Sequence, residues 1–401
     1  MPSTRPTRPT PAPSAFDRLR ALLAGIPAPP GVATIPLQLG EARLVTPPVD
    51  GRLLGEVDGW TRYPPLGGTP ELRAAYTGWL ERRFGPHLRA AVDEGSLAIE
   101  PTPGTKQAVT AAITLAVHPR APAVVLPNPF YPTYHAAVEA AGGRAILYGH
   151  APEVPAAVAA HRGVAAVVVC SPGNPRGETH TPATVRAISA AARAAGALLV
   201  VDECYIDLVH AASAHDGFLT SGTISETGRF LVLHTLSKRS GMPGLRSGFV
   251  IGDPASVAAY ANRNRACGVS QAAPVCAVAT RLWADDAHVA HLRSAVSANW
   301  DTADELLGDL PGYQRAEAGF FLWFPVPDDE EAARRLWREE AVTVMPGRYL
   351  GTATDCGTNP GAGHLRIALV HPQDRTREAL TRVRRVLTRL GPLTPPEKTA
   401  R

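Results

Sequence analysis

Lys238 and Arg246 stand eight residues apart in FLVLHTLSKRSGMPGLRSGFVIG, residues 230–252. Phe230 to Leu233 reads as a short buried strand, and the polar residues after it lead to Lys238 at the strand's end. Gly241, Pro243 and Gly244 force a loop, and Ser247 to Ile251 resumes a strand. A lysine held in a partly dry pocket has a depressed pKa and can attack an aldehyde to form a Schiff base, while a fixed guanidinium can hold a phosphate. A hairpin tip carrying two solvated cations fits this stretch equally well, so other stretches must decide.

Several do bear on it. Asn174 follows the strand ending at Cys170, in a turn fixed by Pro175 and Gly177. Asp202 closes the next apolar run in VVDECY, with Tyr205 three residues on, and Arg366 heads the strand LRIALV. Gly104, Thr105 and Lys106 open an alanine-rich helix, where free N–H groups and the helix dipole make a phosphate cradle. Tyr131 lies in PNPFYPTY, and Gly40 closes the strand-like Ile35 to Leu39, where a glycine lets backbone approach a ligand. Each has an ordinary structural explanation: a helix cap, a turn former, a surface ion pair, a core edge. The common position of Tyr131, Asn174, Asp202, Tyr205 and Lys238 at the ends of successive strands argues for a site.

The elements that would position them follow an α/β pattern. Thr69 caps a helix that starts at Pro70 and is stopped by Gly85-Pro86. Apolar runs at Ala123–Leu126, Arg144–Tyr148, Val164–Cys170, Leu198–Val201 and Phe230–Leu233 alternate with helices at His135–Ala141 and Thr184–Ala195. Such runs indicate a mostly parallel sheet covered on both faces, which binds ligands at the carboxyl ends of its strands. Residues 256–310 read as helical. Gly319–Phe324, Val342–Met345 and His364–Val370 read as strands, interleaved with helices at Glu330–Glu340 and Arg375–Leu390. That part forms a smaller α/β domain. The expected division is a tail at 1–15, an N-terminal segment at 16–50 joining the small domain, a large domain at 51–290, the small domain at 291–392 and a tail at 393–401.

Composition bounds the function. The chain has 401 residues, is 45% hydrophobic and carries a formal net charge of +4. Both ends are basic, which leaves the middle acidic, so no basic face for nucleic acid is expected. The five cysteines are odd in number and never spaced as CxxC, which argues for free thiols in a reducing cytoplasm and against a metal site. No apolar run approaches a membrane span, and MPSTRPTRPTPAPSA has no signal-peptide core. A cytoplasmic location is expected.

Together, CSPGNPRGE, VVDECY, the segment around Lys238 and LRIALV resemble the fold-type-I, class I/II aminotransferases, which carry pyridoxal 5'-phosphate (PLP) on a lysine. The resemblance spans roughly residues 35–392. It implies that Lys238 holds the cofactor and shuttles a proton, and that Asp202 pairs with the pyridine nitrogen. Asn174 and Tyr205 would hydrogen-bond the ring's phenolic oxygen, and Tyr131 would stack on its face. The phosphate would meet the N–H groups of Gly104, Thr105 and Lys106, together with Thr235, Arg246 and Tyr63. In this family the equivalent of Tyr63 comes from the neighbouring subunit, which implies a homodimer with shared sites. Arg366 would grip the substrate α-carboxylate, helped by Asn174 and the backbone at Gly40. His234 is expected to be a packing residue.

Further stretches, among them PNPFYPTY, TLSKRSGMPGLRSGFVIGD and MPGRYLGTATDCGTNPGAGHLRIALV, are similar to the N-succinyldiaminopimelate aminotransferase branch of lysine and cell-wall biosynthesis. That likeness implies glutamate as donor and N-succinyl-2-amino-6-oxopimelate as acceptor. Arg176 departs from the pattern, since the family usually has threonine there. Aminotransferases for other amino acids and carbon–sulfur lyases share the cofactor chemistry, and a non-catalytic PLP-binding regulator is a rival of a different class. Against a regulator, residues 1–34 are too short and too Pro-rich for a helix-turn-helix extension.

Overall fold

A computed structural model describes residues 13–45, 49–210, 216–220 and 224–391 of the chain. Residues 1–12 of the expected first tail, and all of 393–401, lie outside the described residues.

After α1 (Ala15–Leu23) and the short β1 (Ile35–Pro36) come α2 (Pro70–Phe84), α3 (Pro86–Asp93), β2 (Ala98–Thr102) and α4 (Thr105–Ala116). Strands and helices then alternate through β3 (Ala123–Pro127), α5 (Thr133–Ala140), β4 (Arg144–Tyr148), α6 (Val154–Ala159), β5 (Val164–Cys170), α7 (Pro182–Ala194), β6 (Leu198–Asp202) and β7 (Phe230–Thr235). A single helical turn, α8 (Leu236–Arg239), leads to β8 (Gly248–Gly252), α9 (Pro254–Ala266), α10 (Ala273–Ala284) and α11 (Ala287–Leu307). The chain closes with β9 (Phe321–Pro325), α12 (Asp329–Glu340), β10 (Val342–Thr343), β11 (Met345–Pro346), β12 (His364–Ala368) and α13 (Gln373–Leu387).

The main sheet has the order β2-β8-β7-β6-β5-β3-β4. All its pairings are parallel except those of β8, which runs against β7 and β2. Its strands are apolar without alternation because both faces are covered. Val125, Val167, Leu199, Val232 and Phe249 face one core with Tyr76, Trp79 and Trp283, while Val124, Val168, Val200, Leu231 and Val250 face another with Ala112, Tyr134 and Tyr260. A third core joins α11, α12 and α13 to the antiparallel sheet β11-β12-β9 and includes Leu37, Trp300, Phe320, Ile367 and Leu380. No helix among the described residues is long and apolar enough to cross a membrane.

Some elements differ from the expectations. The helical stretch at 256–310 is three helices: α9 is followed by Gly268 at φ +70°, and α10 opens with proline in its first turn. Pro86 does stop α2, but it also opens α3. The run Val342–Met345 is shared between two sheets, β10 pairing with β1 and β11 with β12. β2 had no apolar signature because AIEPT contains a proline, tolerated on an edge strand, and a buried Glu100 that faces Arg73 at 3.7 Å. Lys238 does not sit at a bare strand end. Thr235 accepts a hydrogen bond from Ser237 N at 3.1 Å, which caps α8 and sets the lysine on its turn.

Candidate active site

Because β5, β6 and β7 run parallel in register, Cys170, Asp202 and Thr235 finish on the same side of the sheet. They open into a cavity of about 380 Å³ that is also lined by Gly40, Thr105, Lys106, Tyr131, Asn174, Tyr205, Lys238, Arg246 and Arg366. Residues far apart in sequence thus share one chamber. Gly104 adjoins it as the residue before α4, at φ +96°, where a Cβ would come within 2.5 Å of Arg246 Nη2. Tyr63 is the exception: it is 100% exposed and does not line the cavity.

Lys238 Nζ donates to the Gly40 carbonyl and lies 5.6 Å and 5.4 Å from the ring centres of Tyr205 and Phe320. Burial lowers its pKa to about 8, with the Arg366 charge acting in the same direction and Cys204, Glu41 and Asp202 opposing. About a tenth is therefore free amine at pH 7, far more than for an ordinary lysine, as a nucleophile requires. Gly40 allows this geometry, since a Cβ there would meet Phe321 Cζ at 2.5 Å. In this structure its carbonyl serves the lysine.

Asp202 is 2% exposed. Its Oδ2 accepts from Tyr134 Oη at 2.8 Å and its Oδ1 from Cys204 N at 3.2 Å. Burial raises its pKa, and the hydrogen bonds from Tyr134 and Cys204 offset part of that rise. Among the described residues no cation forms a close ion pair with it.

Arg366 enters from the other sheet, where its strand neighbours Leu365 and Ile367 belong to the third core. Nη1 donates to Asn174 Oδ1 and Nη2 to the Gln38 carbonyl, each at 3.0 Å, and the guanidinium lies 4.2 Å from the centre of the Phe321 ring. Its Nε is buried with no partner. Burial lowers its pKa to about 10, so it remains a cation at neutral pH.

At the opposite end, α4 begins with no side-chain cap, which leaves its first N–H groups open to an acceptor. Arg246, in the left-handed region at φ 55°, donates to the carbonyls of Pro243 at 2.7 Å and Pro103 at 3.0 Å. Ser237 Oγ lies 3.4 Å from Arg246 Nη1. These donors suit an anion.

The cavity therefore has an anion cradle at one end, a buried carboxylate lacking a close cation on its floor, and a nucleophilic lysine between. This fits PLP, whose phosphate, protonated ring nitrogen and aldehyde match those features in turn.

Sequence reasoning missed several residues. Ser237 and Tyr134 also line the cavity. Tyr134 lies three residues after Tyr131, one helical turn on in the same motif, a spacing that could have flagged it. His234 does more than pack: its Nδ1 meets Tyr76 Oη at 2.7 Å and its Nε2 meets Glu203 Oε2 at 2.9 Å, all three side chains being buried. Ser240 Oγ, His288 Nε2, His288 Nδ1 and Asp285 Oδ2 follow one another at 2.8 and 2.9 Å, an order seen in hydrolases. Ser240 is buried and lines no main cavity, so this chain braces the end of α8. Arg176 donates to the Gly149 carbonyl at 2.9 Å and does not line the chamber, so its replacement of threonine is a packing change.

Residues 40–383 match the family model for aminotransferase class I and II. The 4-dedimethylamino-4-oxo-anhydrotetracycline transaminase OxyQ of Streptomyces rimosus is 31% identical over 361 residues, covering 86% of this chain and 92% of that protein. An LL-diaminopimelate aminotransferase of Syntrophobacter fumaroxidans is 28% identical over 391 residues, covering 92% and 95%. A crystal structure of an aminotransferase from Neisseria meningitidis superposes with a TM-score of 0.82 at 29% identity, covering 94% of this chain and 98% of that one. The chain belongs to the class I and II aminotransferases. It is a PLP-dependent transaminase of fold type I.

Proposed function

We propose that this enzyme moves an amino group between glutamate and a 2-oxo acid, with N-succinyl-2-amino-6-oxopimelate as the preferred acceptor. The observation that carries the transfer reading is that Arg366, with its buried and unpaired Nε, faces the same cavity as Lys238. A guanidinium so placed can bind an α-carboxylate and present Cα to the amine. The acceptor is supported by the sequence stretches shared with the N-succinyldiaminopimelate branch, while the likeness to a protein named LL-diaminopimelate aminotransferase supports the diaminopimelate skeleton alone and not its succinyl group.

In this reading PLP, held on Lys238, supplies an electron sink for the carbanionic charge that develops at the substrate Cα. Asp202 would keep the ring nitrogen protonated. Asn174 and Tyr205 would bond the phenolic oxygen, and Tyr131 would cover the ring. The N–H groups of Gly104, Thr105 and Lys106, with Thr235, Ser237, Arg246 and the partner's Tyr63, would hold the phosphate. Lys238 Nζ, once free, would be the base that takes the proton from the substrate Cα and the acid that gives it back. Tyr63, fully exposed here, belongs to a homodimer in which each chain completes its neighbour's site. The region at 51–290 binds cofactor, 291–392 with 16–50 forms the smaller domain, and the enzyme works in the cytoplasm.

The test is turnover of N-succinyl-LL-diaminopimelate with 2-oxoglutarate beside a panel of ordinary amino acids. Preference for the succinylated substrate supports the acceptor. Preference for another amino acid overturns it while leaving the transaminase intact.

A further inference from the structure

Tyr134 is a fully buried phenol on the first turn of α5, and its hydroxyl donates to Asp202 Oδ2 at 2.8 Å. The ring stands edge-on to Tyr131, centroids 5.7 Å apart at 82°. The other Asp202 oxygen is held by Cys204 N, so backbone fixes one side of the carboxylate and this side chain fixes the other. We propose that Tyr134 is a positioning residue that aims the Asp202 carboxylate at the cofactor's ring nitrogen and keeps it anionic, so that the shared proton stays on the ring. This rests on the proposed pairing of Asp202 with that nitrogen.

The argument is one of competing proton affinities. A carboxylate and a pyridine nitrogen in contact share one proton, as an ion pair when the carboxylate is the weaker base and as a neutral pair when it is the stronger. Burial strengthens Asp202 as a base, and the Tyr134 hydrogen bond weakens it. Removing the hydroxyl therefore shifts the proton from the ring nitrogen toward Oδ2 with no net change in charge. The ring then withdraws electrons less strongly. Tyr134 stays a donor throughout, because burial and the Asp202 charge hold its own pKa far above the usual phenol range.

Tyr134→Phe keeps the ring and removes only the hydroxyl. Tyr148→Phe is the matched control: Tyr148 is also buried, but its hydroxyl donates to the Val168 carbonyl at 3.1 Å. Each protein is loaded with PLP isotopically labelled at the ring nitrogen, and two quantities are read: the nitrogen chemical shift and the cofactor dissociation constant. Wild type and Tyr148→Phe should both show a protonated ring nitrogen. Tyr134→Phe should move toward the neutral pyridine value and bind PLP about tenfold more weakly, the loss expected for one hydrogen bond to a charged group. An unmoved signal in Tyr134→Phe overturns the proposal, as does an equal change in Tyr148→Phe, which would mark general loosening. If wild type binds PLP with a neutral nitrogen, the Asp202 pairing itself fails, a result seen before any variant is compared.

Discussion

The Arg366 guanidinium crosses from the antiparallel sheet to the turn after β5, where Nη1 donates to Asn174 Oδ1 at 3.0 Å. Asn174 is thereby a shared contact: it lines the same cavity as Lys238 and holds one arm of the Arg366 fork. The Gln38 carbonyl holds the other. Only the guanidinium geometry satisfies both acceptors and keeps a further N–H for a carboxylate.

Arg366→Lys keeps a charge but loses that geometry. We expect kcat/KM for the amino donor to fall by about two orders of magnitude or more, the usual loss when one partner of a buried charge contact is truncated, while PLP still binds. Steady-state kinetics with a titration of cofactor absorbance checks both parts. A loss smaller than about tenfold would remove Arg366 from the role of carboxylate anchor.

Lys238 gives a pH prediction whose sign follows from its lowered pKa. Below about 8 the ammonium form dominates and has no lone pair; above it the free amine dominates. The rate at which apoprotein forms its covalent bond with PLP should therefore climb about tenfold per pH unit on the acid side and level off above the pKa. Arg366 is one cause of the lowering, so the Arg366→Leu protein should level off at higher pH. Stopped-flow absorbance reads both midpoints, and a flat profile across that range would show that the amine is not titrating.

Gly104→Ala tests the phosphate end. The residue has φ +96°, and the added Cβ would stand 2.5 Å from Arg246 Nη2, so Arg246 must move out of the cradle. PLP affinity should drop by about one to two orders of magnitude, for lost charge-assisted hydrogen bonds. The loss of thermal stability without cofactor should be modest by comparison, because Arg246 is an exposed side chain. Equal PLP dissociation constants for variant and wild type would place the phosphate elsewhere.

Much of this site was legible in the sequence because its chemistry restricts residue type. An amine, a carboxylate, an amide and a guanidinium at Lys238, Asp202, Asn174 and Arg366 each follow or open an apolar run, and strand ends are where such sheets collect polar groups. The supporting residues carried no such mark. Glu203 and His288 take their partners from elements 31 and 48 residues away in sequence, so only the folded chain shows them. The one-turn helix under Lys238 was likewise hidden, because four residues are too few for helical periodicity and its cap, Thr235, also reads as the end of a strand.

Tyr63 permits a test that depends on which chain it serves. Its full exposure, with Trp60 and Leu66 also exposed nearby, leaves the side chain free of its own cavity. If it completes the neighbouring site, Lys238→Ala and Tyr63→Ala chains should each form weakly active homodimers. Mixing them should restore activity, because each heterodimer holds one site with the intact lysine and the intact tyrosine of the opposite chain. If Tyr63 serves its own chain, every site in the heterodimer lacks one of the two groups and mixing restores nothing. Tagging the two chains differently, purifying the heterodimer and measuring its kcat separates these outcomes, and a site shared between chains predicts recovery.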